Sequence, residues 1–212
     1  MKHLNLILII LILSCCPLHP AYAFFDKDIR LLTMRDGLAD NTIPCIYKDE
    51  DGFMWFGTDD GLSRYDGKTI QNFKPADTYA SVAAIVRLSD DFLGIVSDGY
   101  LYYFNRKQET FLPIHTESDT AIGVFNVLPA DNSSFWGISG NRLILCQWEI
   151  RQGKEEEKTA VRVRIQKTFQ LLEEKGEVFS SLCYHEKAGN GIWLTTNRGN
   201  LILFHQDTPE AY

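Results

Sequence analysis

One pattern returns four times along this chain, and a repeat of fixed order constrains the fold more than any single motif. Its first copy is Asp51-Gly52-Phe53-Met54-Trp55-Phe56-Gly57-Thr58-Asp59-Asp60-Gly61-Leu62-Ser63-Arg64-Tyr65-Asp66. That string holds a turn, a short apolar strand, an Asp/Gly turn and a second strand. The same order returns over 92–105, 134–145 and 191–204. Trp55, Gly94, Trp136 and Trp193 are the equivalent positions, at intervals of 39, 42 and 57 residues. Short strands recurring about every 40 residues predict β-propeller blades, each a four-stranded antiparallel sheet packed face to face on its neighbours. The recurring aromatic is then core between blades.

The fold class expected is all-β, with about four blades over 41–73, 80–112, 122–171 and 178–212. In the first, strands are predicted at 42–48, 53–58, 62–65 and 69–73. The 57-residue interval has a local cause. Arg142 to Ile150 continues as a strand, 153–158 is a charged tip, and Val161, Val163 and Ile165 alternate with arginines, giving a long hairpin. Cys45 and Cys183 each lie ten residues before the repeat tryptophan, which suggests equivalent places in two blades and packing in preference to a bond. With Cys146 they leave an odd count at wide spacing in the mature chain, so neither a disulfide framework nor a zinc pattern is indicated, and all three read as small buried hydrophobes.

Residues 1–23 stand apart. A basic start at Lys2, a Leu/Ile run from Leu4 to Leu13 and Ala21-Tyr22-Ala23 read as a secretory signal peptide cut after Ala23, leaving 24–212 as the exported, periplasmic propeller segment. The run is too short to span a bilayer, which takes about 20 residues. A lipoprotein anchored at Cys15 is the weaker alternative. The chain has 28 acidic and 21 basic residues, and losing Lys2 takes the net charge from -7 to -8. With no Lys/Arg cluster, nucleic acid and anionic membrane surfaces are poor partners.

The stretch Leu32-Thr33-Met34-Arg35-Asp36-Gly37-Leu38-Ala39-Asp40-Asn41-Thr42-Ile43, then Tyr47-Lys48-Asp49 and 51–67, closely resembles the two-component regulator propeller repeat. The match is specific over 31–73 and looser in later blades. The resemblance implies a periplasmic sensor region of a hybrid two-component system, a family often tied to polysaccharide use, in which a membrane helix and a histidine kinase follow the propeller. Family propellers commonly have seven blades and a kinase, whereas about four blades and no kinase motif are visible here. The implied object is a non-enzymatic leading part of a larger propeller. Blade four is expected to reach its third strand at 201–204 and to lack an outer one at Asp207-Thr208-Pro209, while 29–33 looks like an outer strand awaiting a last blade. Unpaired blade edges would favour self-association.

Little chemistry is encoded. His115, His185 and His205 have no metal spacing, Gly137-Ile138-Ser139-Gly140 is no nucleophile elbow, and Asp49-Glu50-Asp51-Gly52 reads as an acidic turn, so no catalytic residue, metal or cofactor is assigned. Ligand contact is expected on the propeller face formed by the turns between second and third strands and by the links between blades. Asp59, Asp60, Tyr79, Asp98, Asn197 and Arg198 are its candidate residues, a polar and aromatic mixture suited to an oligosaccharide. The competing account is that Asp, Asn and Gly sit there because turns favour them. Tyr100, Tyr102 and Tyr103 read as strand packing. Two alternatives stay open: a secreted glycan-processing enzyme, against which the incomplete Asp-box pattern counts, and a scaffold for protein contacts.

Overall fold

In the computed structural model, residues 29–74, 80–116, 120–151, 160–172, 175–185, 191–205 and 209–211 are described. The signal segment, the 153–158 tip and the Asp77-Thr78-Tyr79 link lie outside them. Two compact units divide the chain at residue 31, and the second, Leu32–Tyr212, holds all the strands among the described residues.

Burial alternates along inner strands such as 45–48 and 82–87 and is continuous along second strands such as 92–97, which are covered on both faces. Blade one is β1 (Cys45–Lys48), β2 (Met54–Thr58), β3 (Gly61–Tyr65) and β4 (Ile70–Phe73), paired antiparallel in chain order. Blade two is β5 (Val82–Arg87), β6 (Phe92–Ser97), β7 (Tyr100–Asn105) and β8 (Thr110–Pro113). Blade three is β10 (Asn126–Pro129), β11 (Ser134–Ser139), β12 (Arg142–Arg151) and β13 (Ala160–Gln170), with the two-residue β9 (His115–Thr116) added parallel to β13 as a fifth strand. Blade four is β14 (Phe179–His185), β15 (Gly191–Thr196), β16 (Leu201–Phe204) and β17 (Pro209–Ala211). These four antiparallel blades form a β-propeller.

Four expectations are corrected. Blade four has its outer strand: Pro209–Ala211 pairs with β16. A proline is tolerated there because it opens an edge strand, where one missing donor breaks no further ladder. Residues 29–33 carry no strand. Cys45 and Cys183 are not equivalent, since Cys45 pairs with Gly57 whereas Cys183 faces Trp193, the place Tyr47 takes opposite Trp55. Trp193 is third in β15 and Trp55 second in β2, and each added pair moves the partner by two. All three cysteines are free, but only Cys146 is buried; Cys45 is half-buried and Cys183 exposed.

Among the described residues, one apolar cluster fills each junction between successive blades. Trp55, Leu62, Phe73, Leu93, Ile95 and Phe104 join blades one and two. Phe92, Val96, Tyr103, Phe135, Ile144 and Trp148 join two and three. Trp136, Leu145, Phe179, Leu194 and Phe204 join three and four. The long hairpin belongs to the second junction: Trp148, Val161 and Val163 are buried against blade two. Among the tyrosines, Tyr103 is buried, Tyr102 half-buried and Tyr100 exposed.

The repeat also explains its own glycines. At Gly57 an added Cβ would stand 2.4 Å from Cys45 Sγ and 2.5 Å from the Val82 carbonyl oxygen, so the next blade can approach only a bare backbone. The segment before β1 lies on the other face of blade one. There the Asn72 amide donates to the Gly37 carbonyl at 2.8 Å, the Ala39 amide donates to Ser63 Oγ at 3.2 Å, and Leu38 is buried.

Candidate functional site

The turns between second and third strands, where ligand contact was expected, hold the blades together. In blades one, two and four the first turn residue donates its amide to the carbonyl just ahead of that blade's inner strand: Asp59 to Thr42 at 3.2 Å, Asp98 to Ser81 at 3.3 Å, and Asn197 to Val178 at 3.0 Å. The same turns also grip the following blade. Ser81 Oγ donates to Asp59 at 3.0 Å, the Val124 amide to the Gly99 carbonyl at 2.7 Å, and the Phe179 amide to the Gly140 carbonyl at 3.2 Å.

Each expected residue can therefore be placed. Asp59 and Asp98 meet at Ser81, Asp98 holding a left-handed φ of 49°. Asp60 pairs with Lys74 at 2.5 Å. Asn197 accepts from the Val178 amide at 3.1 Å and donates to the Gly176 carbonyl at 3.3 Å, and Arg198 donates to the Lys175 carbonyl at 2.9 Å. Thus the first three gather at the junction of blades one and two, whereas Asn197 and Arg198 bind their own blade's approach segment. Tyr79 lies outside the described residues.

Two hollows lie on the other side, among the turns joining first to second strands. The one between blades one and two, of about 330 Å³, is lined by charges that satisfy one another. Arg106 reaches Asp49 at 2.9 Å and Asp51 at 2.5 Å, and Arg87 reaches Asp90 at 2.5 Å and Glu50 at 3.4 Å. Asp49 is the keystone. Its carboxylate accepts from the Phe53 amide at 2.8 Å, the Trp55 indole at 2.8 Å and Arg106, with the side chain 3% exposed. Among the described residues no cluster of His, Cys, Asp or Glu could hold a metal ion.

The second hollow, of about 660 Å³, opens between blades three and four and is lined by Asp131, Asn132, Ser134, Trp136, Leu145, Gln166 and Tyr184, with Pro129 and Ala130. Asp131 accepts from the Ser133 amide at 2.7 Å and Ser134 Oγ at 2.5 Å, bonds that hold its carboxyl below the usual carboxylate range. The Tyr184 hydroxyl donates to the Pro129 carbonyl, and burial pushes that phenol up. Sequence reasoning missed this hollow because its walls come from two blades. The available signal was a change within the repeat, Phe53 and Arg64 giving way to Ser134 and Leu145.

Comparison with known proteins agrees with this architecture. Residues 37–60 match the family described as Two component regulator propeller. No curated protein sequence matches the chain. Among solved structures, the extracellular domain of a proposed one component system of B. thetaiotaomicron superposes with a TM-score of 0.57 at 19% identity, covering 80% of this chain and 21% of that one. The extracellular domain of a proposed hybrid two component system from the same organism gives a TM-score of 0.52 at 15% identity, covering 86% and 31%. A streptogramin B lyase gives 0.54 at 17% identity, covering 83% and 56%. The chain thus spans between about a fifth and just over half of these relatives' lengths. Identities this low establish the fold alone. The matched segment contains Asp49 and Trp55, whose bond anchors the first blade, so the chain is a β-propeller whose residues 37–60 match the two component regulator propeller repeat.

Proposed function

We propose that this chain is an exported, ligand-sensing propeller segment of a two-component sensor, that its ligand is an oligosaccharide, and that phosphotransfer is not its own work. The observation that carries the reading is the family repeat at 37–60, several of whose residues have structural uses: Gly37 and Leu38 on one face of blade one, Asp49 locking Trp55, Gly57 admitting the next blade. The proposed contact face is that of the turns bearing Asp59, Asp60, Asp98, Asn197 and Arg198, with Tyr79 in the adjoining link. Rigid turns latched by backbone bonds suit recognition, because ordering them costs nothing further on binding.

A panel of neutral oligosaccharides tested by thermal unfolding of the full chain checks this. One saccharide class should raise the melting temperature saturably, since a ligand at about 100 times its Kd stabilises by about 2.7 kcal/mol. A flat response across a broad panel would count against the sensor reading.

A further inference from the structure

The first and third junctions are built on the same aromatic trio. At the first, Trp55 lies 6.0 Å from Phe73 and 5.6 Å from Phe104, and those two phenylalanines are 4.9 Å apart, centroid to centroid. At the third, Trp136 lies 6.0 Å from Phe169 and 5.6 Å from Phe204, which are 4.7 Å apart. In each, one phenylalanine is on the outer strand of the same blade and the other on the third strand of the next.

What sits against the trio differs. At the first junction Arg64, directly across the ladder from Trp55, lays its guanidinium 5.1 Å from the Phe53 ring, 5.5 Å from Trp55 and 5.3 Å from Phe73. Gln71 accepts from that guanidinium at 2.6 Å and Glu109 at 3.1 Å. The position across from Trp136 is Leu145, and the position two before Trp136, where the first blade has Phe53, is Ser134. A leucine ends at Cδ, two bonds short of an arginine's Cζ, and serine supplies no ring. The space so left is the hollow of about 660 Å³. Its rim carries other acceptors that a cation could use: the Asp131 carboxylate, which already accepts from Ser133 and Ser134, the Asn132 side chain, and Gln166, whose Nε2 donates to Gln147 at 2.9 Å. Lys167 stands across the ladder from Leu145, where Gln71 stands across from Arg64, but it is outside the hollow's lining, which among the described residues holds no lysine or arginine.

From this internal comparison we infer that the cleft between blades three and four is a binding site for a ligand bearing a guanidinium or ammonium group, seated beside Trp136 where blade one seats Arg64. Attraction of a cation to aromatic faces, with one carboxylate in reach, supplies the recognition. The source of the cation is either a basic peptide side chain or an amino sugar. The inference stands apart from the sensor reading, which concerns neutral saccharides on another face.

The test titrates the full chain with Nα-acetylargininamide and with glucosamine, each against its uncharged counterpart, Nα-acetylcitrullinamide and N-acetylglucosamine, following tryptophan fluorescence and calorimetric heat. At least one charged probe should bind at least about tenfold tighter than its counterpart, as a partly desolvated cation–π contact allows. Which one it is distinguishes peptide from amino sugar. Leu145→Arg places the cation in cis and should abolish that binding while leaving any neutral-oligosaccharide shift intact. Asp131→Asn keeps a side-chain acceptor for the Ser133 amide but removes the charge, so it should weaken the charged probe about tenfold and leave the neutral one unchanged, whether or not Leu145→Arg folds. Equal affinity for charged and neutral probes, or binding untouched by Asp131→Asn, would overturn the inference.

Discussion

At the scale of single residues, stability concentrates in a few polar anchors buried at blade junctions. Asp49 holds an amide, an indole and a guanidinium with a carboxylate almost closed to water. Asp49→Ala strands the Trp55 N–H and leaves Arg106 with only Asp51 and the Asp90 carbonyl, and a loss of about 3 kcal/mol is expected from urea unfolding. A change under about 0.5 kcal/mol, typical of an unremarkable surface site, would show that the junction does not depend on this anchor. Exposed turn carboxylates set the acid limit. Asp66 accepts from the Thr69 and Lys68 amides and is pulled down to about 2, and Asp40 and Asp131 are lowered by similar turn bonds. Their folded pKa values lie below the ordinary 3.8, so their contribution is present above that value and is lost as pH falls through each folded pKa, about 2 for Asp66. The urea midpoint should be flat with respect to these groups above pH 4 and decline below it, with a shallower decline in Asp66→Asn. Burial pushes the Cys146 thiol up to about 12 and the Cys45 thiol up to about 11, whereas Cys183 is exposed. Iodoacetamide should therefore label Cys183 in the native chain and reach Cys146 only on unfolding, as peptide mass mapping would show.

At the scale of strands, the period-two alternation and the Asp/Gly turns made blade one legible in the sequence to within three residues at every strand end. They also made the long hairpin of blade three legible, because Val161, Val163 and Ile165 alternate so regularly. Register was not legible where strands differ in length. Trp193 enters β15 one residue later than Trp55 enters β2, and that slip carried Cys183 away from the position assigned to it. Nor could one blade's sequence show the short β9 or the cleft beside Trp136, since both depend on which segments a neighbouring blade brings near. The candidate turn residues illustrate the same limit: Asp59 and Asn197 are turn residues by type, but their latching to Ser81 and to the segment ahead of β14 needed the second partner. Close approach between sheets gives a direct test. Gly57→Ala must displace both Cys45 Sγ and the Val82 carbonyl, an overpacking expected to cost about 1–3 kcal/mol. Adding Cys45→Ala should recover only part of it, because the carbonyl remains. Complete recovery in a urea titration of the double variant would place the whole constraint on the sulfur.

For the molecule as a whole, a blade's stability depends on how many of its faces are covered by another blade. The three apolar clusters cover both faces of blades two and three, but only one face each of blades one and four. The second face of blade one receives the 33–41 segment, which buries Leu38 yet leaves Ile46 60% exposed. The second face of blade four leaves Leu201, paired with Thr195, 43% exposed. Arrays of this kind approximate a sum of repeat and nearest-neighbour terms, so end units open before central ones. Native-state amide exchange should rank accordingly: β6 and β11, central strands of doubly covered blades, slowest; β2 and β15 faster. The latches between blades sharpen the expectation, since opening blade four requires breaking the Phe179–Gly140 and Tyr184–Pro129 bonds, whereas opening blade two requires breaking junctions on both sides. Uniform exchange across all four blades would mean that the propeller unfolds as one cooperative body in which the end faces carry no penalty.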